Sequence, residues 1–220
     1  NSVAGNTVLG ESALDASVTG GNNTAIGKNA LTALTSGSSN TAVGKDTLLV
    51  NTTGANNVAV GATALDANTT GDANVAVGLG ALTGNTTADL NTSIGHNSLK
   101  VNSTGASNTA VGGRALDANT TASNNTAIGL DALGENTTGA FNTAVGANSL
   151  DANTTASELT GIGFKALTDN TTGENNTAIG SLALENNTTA SNNTAVGKSA
   201  LLSNTTGASN VAVGAYNLDA

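Results

Sequence analysis

Residues 57–73 read N-V-A-V-G-A-T-A-L-D-A-N-T-T-G-D-A, and residues 74–90 repeat them closely as N-V-A-V-G-L-G-A-L-T-G-N-T-T-A-D-L. The pattern returns every 17 residues, so its Gly recurs from Gly10 to Gly214 and its Leu from Leu14 to Leu218. Thirteen such units account for the 220 residues of the chain. Self-similarity at a short fixed period is typical of solenoids. We therefore expect a single repeat array over residues 1–220.

The composition favours a thin, layered core. The chain has 28 Gly, one Tyr and two Phe, and it has no Pro, Cys, Met or Trp. Aromatic residues and Met usually fill globular cores, so a close-packed core without them must be narrow. Disorder is disfavoured, because 38% of the residues are hydrophobic and only 10% are charged.

Each unit has the length of one coil of a parallel β-solenoid, either a β-roll or a β-helix. Seventeen residues are too few for a helical hairpin repeat or a propeller blade. The T-A-V-G segment predicts a short strand in which Thr and Val or Ile share one face and Ala takes the other. We expect the Val or Ile to point into the core with the invariant Leu. The segment that follows is either a second strand or one turn of 3₁₀ or α-helix.

The expected core and corners consist of stacked columns of like residues. The Gly forms a corner, because a residue without a Cβ adopts positive φ freely. Stacked Asn side chains are expected to form hydrogen bonds along the solenoid axis. The columns include Leu31, Leu48, Leu65, Leu82, Leu99 and Leu116; Ile26, Val43, Val60 and Val77; and Gly27, Gly44 and Gly61.

The sequence contains few residues of the types that catalysis or cofactor binding requires. Without Cys the chain has neither a thiolate ligand nor a Cys nucleophile. The single His, His96, has no Cys partner and is expected at the surface. Acids follow the Leu in only some coils, and we interpret them as a solvated stripe: Asp15, Asp66, Asp117, Asp151 and Asp219. We predict a non-enzymatic protein without a cofactor or a metal site.

Charge and hydropathy narrow the range of partners. Six Lys and Arg against 15 Asp and Glu give a net charge of −9, and the basic residues are scattered, so nucleic-acid binding is not expected. No run approaches the roughly 18 apolar residues of a membrane span. Because the array stops within a coil, we interpret it as an uncapped part of a longer fibre.

The corners with the pattern N-T/S-T are formal acceptors for N-glycosylation. In a source that glycosylates surface proteins they would carry a row of glycans, and otherwise they are turn residues. The ten sites are Asn51, Asn68, Asn85, Asn102, Asn119, Asn136, Asn153, Asn170, Asn187 and Asn204.

Ice binding is a second alternative, because stacked Thr residues form flat, regular arrays. Two features argue against it. The two Thr of each corner are adjacent and therefore point in different directions. The strand Thr is replaced by Val58, Val75 and Val211, which indicates that this position faces inward.

Three stretches resemble the N-S-V-A-I-G-x-x-S unit of YadA-like head domains in trimeric autotransporter adhesins: 57–61 (N-V-A-V-G), 91–95 (N-T-S-I-G) and 142–146 (N-T-A-V-G). The longer form N-T-A-V-G-x-x-A-L…N-T-T-G also resembles repeats of phage tail-fibre and surface-fibre proteins. The adhesin resemblance implies a left-handed β-roll, side-by-side association of three chains and binding of host or matrix components. The repeat departs from that family in being longer and in lacking the second x-A-x-G half.

The sequence thus predicts a structural fibre segment, extracellular, at a cell surface or in a virion, that serves adhesion or assembly as a rigid rod. A coil with so lean a core is expected to gain further burial between chains. The small strand residue, for example Ala25 or Ala42, would allow a second backbone to approach. The expected partners are further copies of the chain, as a homotrimer or an end-to-end filament, and a host or surface receptor. The alternative is a ligand-binding solenoid surface for ice or glycans.

Overall fold

A computed structural model describes residue 3 and residues 5–218 of the chain. The fold is an all-β parallel solenoid with one short strand in each 17-residue coil, so the predicted fold class is confirmed. The chain divides into two compact units of several coils each, Asn1–Asn108 and Thr109–Ala220, which we call the first and the second unit. The first unit contains β1 Thr7–Leu9, β2 Thr24–Ile26, β3 Thr41–Val43, β4 Val58–Val60, β5 Val75–Val77 and β6 Thr92–Ile94. The second contains β7 Thr109–Val111, β8 Thr126–Ile128, β9 Thr143–Val145, β10 Thr160–Ile162, β11 Thr177–Ile179, β12 Thr194–Val196 and β13 Val211–Val213.

Within each unit every strand pairs in parallel with the strand of the next coil, without a slip in register. In the second unit, Thr143 pairs with Thr160 and Val145 with Ile162. The ladder continues past the strand, because the Gly146 N–H donates to the Ile128 carbonyl at 2.8 Å. Like residues are therefore stacked at the spacing of adjacent strands, about 4.8 Å.

The segment between the Gly corner and the N-T-T corner is neither a strand nor a helix in the described residues. It consists of two successive turns, closed by the Ala64 N–H on the Gly61 carbonyl and by the Asn68 N–H on the Leu65 carbonyl, both at 3.3 Å. Thr63 and Leu65 have φ of 55° and 54°. Positive φ at alternate positions breaks any helical path, and this is why the expected helical turn or second strand does not form.

The core is a stack of Leu and Ala side chains. The Leu of the turn segment is fully buried from Leu31 to Leu184, and its N–H donates to the next coil, as from Leu65 to the Ala81 carbonyl at 3.0 Å. The Ala before it and the Ala of the strand are also buried, as Ala64 and Ala59 show. Most coils therefore bury one large apolar side chain and two methyl groups, and Leu34 and Leu159 add a second large side chain in their own coils.

The expectation that Val and Ile of the strand enter the core is wrong. The strand Ala is fully buried, whereas Val60 is 36% exposed and Ile94 40% exposed. Ile26, Val43 and Val77 are half-buried, as are most of the strand Thr residues. The reason is the space inside the coil. At Gly161, which takes the Ala position in β10, an added Cβ would lie 2.6 Å from the Ser149 Oγ and 3.1 Å from the Leu150 Cγ, so this position has room only for small side chains.

Candidate functional site

The most regular surface of the second unit is the outer side of β7–β13. It carries two rows of side chains, which we call the strand face. The first row is Thr109, Thr126, Thr143, Thr160, Thr177, Thr194 and Val211, and the second row is Val111, Ile128, Val145, Ile162, Ile179, Val196 and Val213. Neither row contains a charged residue. In-register pairing from β7 to β13 places these residues on a regular lattice.

The lattice has two repeat distances. Adjacent strands lie about 4.8 Å apart, and alternate residues along one strand lie about 6.6 Å apart. Thr, Val and Ile are β-branched and have restricted χ1 rotamers, so the methyl and hydroxyl groups hold their positions. The strand face is therefore a rigid array of uncharged groups.

The Thr hydroxyls of the strand face are free for an external partner. Within the described part of the chain, the hydroxyls of Thr126, Thr143, Thr160, Thr177 and Thr194 form no hydrogen bond. The first Thr of most corners behaves differently, because its hydroxyl donates to the next coil, as from Thr137 to the Thr154 carbonyl at 2.9 Å. A hydroxyl is one donor and two acceptors, so the face offers a repeated set of unused polar groups between methyl groups.

The first unit carries the same surface in a less regular form. In the first row Thr24 and Thr41 are followed by Val58 and Val75 and then by Thr92, and Leu9 ends the second row. The hydroxyl row is therefore interrupted in this unit.

The Asn residues of the N-T/S-T corners are buried structural groups, and this corrects their interpretation as glycan acceptors. Nine of the ten side chains are fully buried, and only Asn204 is half-buried. The Asn68 Nδ2 donates to the Asn51 Oδ1 at 2.8 Å and to the Gly71 carbonyl at 3.0 Å. A glycan replaces a hydrogen of this same nitrogen, so the folded coil has no room for it.

A second row of Asn side chains precedes the strands and forms the other half of this network. The Asn40 Nδ2 donates to the Asn23 Oδ1 and to the Gly54 carbonyl, at 3.2 and 2.9 Å. The Asn51 Nδ2 donates to the same Gly54 carbonyl at 2.9 Å. The expected Asn ladder is thus present twice, once at the corners and once before the strands. Carbonyl groups that accept from both rows of Asn join the two ladders.

An acidic depression on the second unit is the main cluster of charged groups. Arg114, Asp117, Asp131, Glu135 and Asp151 line it. The Arg114 Nε and Nη2 donate to the two carboxylate oxygens of Asp131, each at 2.6 Å. Burial raises the pKa of Asp117 and of Asp151, and the neighbouring carboxylates add to the shift. Among the described residues no group of three or more His, Asp or Glu is placed to hold a metal ion.

The remaining sequence-predicted groups are scattered. His96 and Asp15 are exposed and Asp66 is half-buried, while Asp219 lies outside the described residues. Desolvation raises the pKa of Asp66 as well. These side chains lie in different coils and are not brought together into a site.

Comparison with protein-family models, with curated proteins and with solved structures finds no match to this chain. In residue 3 and residues 5–218, no helix combines the length and the apolar character needed to cross a membrane.

The sequence shows the repeated Thr and Val positions but does not show that they face outward. One signal pointed the other way. The small residue of the strand is Ala, Ser or Gly in every coil from Ala25 to Ala212, as expected of a site that limits side-chain volume.

Proposed function

We propose that the chain is a non-enzymatic structural segment of an extracellular, cell-surface or virion fibre, and that it spans distance as a stiff, repetitive element. The supporting observation is the uniform stacking within each unit. Backbone ladders, the buried Leu column and two buried Asn ladders all run in the same direction. Bending a unit would distort all of them at once. The resemblance to adhesin and tail-fibre repeats supports the same role.

Self-association belongs to this proposal, as a homotrimer or as an end-to-end filament, together with a host or surface receptor as the bound partner. The lean core supports it, since most coils bury only one large apolar side chain. Sedimentation velocity over a concentration series and electron microscopy of the purified protein test it. Elongated particles or filaments are the expected result, and globular monomers would contradict the fibre role.

Replacement of Leu116 by Asp tests whether the proposed fibre depends on the stacked core. An unpaired carboxylate at this fully buried site is costly, so we expect the melting temperature to fall and particles to shorten or aggregate. Leu130→Asp makes the same change at a side chain that is 53% exposed, and it should leave both properties unchanged. Equal melting temperatures and equal particle lengths for the two variants would contradict the proposal that the stacked core supports the fibre.

A further inference from the structure

The strand face of the second unit has the features of a surface that binds a periodic ligand. The side chains of the strand face recur at fixed distances, so all of them can contact one partner only if groups of that partner recur at similar distances. Crystalline water is such a partner, since the spacings of about 4.8 and 6.6 Å are of the order of the repeat distances between water molecules on faces of hexagonal ice. We propose that this face binds ice.

The chemistry of the face fits ordered water. Each Thr of the first row presents a hydroxyl without an internal partner, and the Val or Ile beside it presents methyl groups. Water next to such a surface is held by the hydroxyls and ordered around the methyl groups. Charged groups would bind water in other orientations, and neither row contains one. Because the side chains are fixed by their β-branching, little further ordering is needed on binding.

The Val residues that replace the strand Thr in some coils indicated an inward-facing position, and the observed orientation of the strand differs from this. The strand Thr was expected to face inward, but in β8–β12 the middle residue is buried and the residues on either side are half-buried or exposed. The Thr is thus part of an alternating T-x-V/I strand with both outer residues on one side. Six consecutive strands of this unit, β7–β12, carry Thr and a β-branched residue in this arrangement.

A second copy of the chain is the competing occupant, and the area of the face argues against it. Seven strands about 4.8 Å apart and two rows about 6.6 Å apart cover on the order of 200 Å². Each partner in a stable protein complex contributes about 800 Å². Ice does not need an area of that size, because water ordered by the face becomes part of the growing lattice. This inference goes beyond the structural role and does not depend on it.

Thermal hysteresis and partition into a growing ice hemisphere test the inference on the full chain. We expect the wild type to show hysteresis, to shape ice crystals and to enter the ice. The variant Thr143→Lys/Thr177→Lys places two charges on the strand face and should lose most of the hysteresis. The control Thr155→Lys/Thr189→Lys makes the same change at exposed corner Thr residues of the same coils, and it should retain the hysteresis.

Circular dichroism melting shows whether each variant is folded, and Thr143→Asn/Thr177→Asn replaces the Lys pair if the latter unfolds. A wild type without hysteresis or ice partition would overturn the inference, as would equal loss in the strand and corner variants. A wild-type oligomer that the strand variant dissociates would also overturn it, because copies of the chain would then occupy the face. That last outcome would leave the fibre proposal standing, so the two proposals fail separately.

Discussion

At the scale of single residues, the Gly after each strand meets two constraints together. Gly112 has φ of 138°, and a Cβ added there would lie 2.3 Å from the Gly129 carbonyl oxygen of the next coil. Either condition alone disfavours a side chain. The next residue, Gly113, has neither constraint, because its added Cβ would first meet the Leu130 Cδ1 at 3.5 Å.

Gly112→Ala is therefore expected to destabilise the second unit by at least about 2 kcal/mol, from backbone strain and the clash with the next coil. Gly113→Ala, one residue further on, should change the free energy of unfolding by less than about 0.5 kcal/mol. Urea unfolding of both variants is the measurement. Equal stability of the two would show that the Gly corner is not needed for stacking.

Positive φ also occurs at residues with large side chains. Phe141 has φ of 60° and is 62% exposed. The same coil position in the second unit holds Asn124, Asn175 and Asn192, all with positive φ. Asn tolerates this region better than Phe, because its short side chain bonds to the local backbone. The Phe thus strains the backbone without a contribution to the core.

Phe141→Asn is accordingly expected to raise stability by about 0.5 to 1 kcal/mol. Leu130→Asn is the control, since Leu130 is 53% exposed and is absent from the residues with positive φ. Thermal melting of both variants gives the comparison. If the control gained the same stability, the cause would be the lower hydrophobicity of the surface and not the relief of backbone strain.

At the scale of the repeated element, the Asn ladder before the strands is interrupted once. The Asn142 Oδ1 accepts the Leu159 N–H at 2.9 Å, and the Asn176 Oδ1 accepts the Asn193 N–H at 2.9 Å. Between them, Leu159 has no oxygen to offer to the N–H of Asn176. Leu159 is 1% exposed, so it replaces the amide hydrogen bonds with apolar packing.

Leu159→Asn should restore the ladder, and we expect stability within about 1 kcal/mol of the wild type, because new hydrogen bonds offset the lost apolar burial. Leu167→Asn makes the same change in the Leu column of the same coil, where the side chain is fully buried. It should cost about 3 kcal/mol or more. Chemical denaturation distinguishes them, and similar losses would mean that the ladder does not stabilise the coil.

At the scale of the whole molecule, acidic groups exceed basic ones and some carboxylates are poorly solvated. Burial raises the pKa of Asp117 and Asp151, and the nearby Asp131 and Glu135 carboxylates raise it further. A carboxyl group whose pKa is higher in the folded than in the unfolded state favours folding when protonated. Its contribution is complete below the unfolded pKa and is lost as pH rises through the folded pKa.

We therefore expect the melting temperature to be higher at about pH 4 than at about pH 7. Asp117→Asn/Asp151→Asn should raise the melting temperature at the higher pH and reduce its dependence on pH. Asp169→Asn, at an exposed acid, serves as the control for net charge. A melting temperature that falls on acidification in the wild type, or the same response in the control, would contradict this assignment.

The sequence by itself determined the period, the strand position and the buried Leu. Repetition within one chain makes this possible, because stacked coils place the same demand on the same column thirteen times. Coils that depart from the repeat sequence can be interpreted from the same columns. Ser93 and Ser98 replace two Ala of one coil, and in the fold the Ser93 hydroxyl donates to the Ser98 carbonyl at 2.9 Å.

Only the tertiary structure decided which side of the strand faces outward and where the Asn side chains lie. A strand alternates with period two, so T-A-V is equally compatible with Ala inside and with Val inside. Space decides between them: Leu65 and the two Asn ladders fill the coil from the other walls, and the strand position of Ala59 holds only Ala, Ser or Gly from β2 to β13. The β-branched residues are thereby turned outward, and the surface proposed to bind ice consists of these residues.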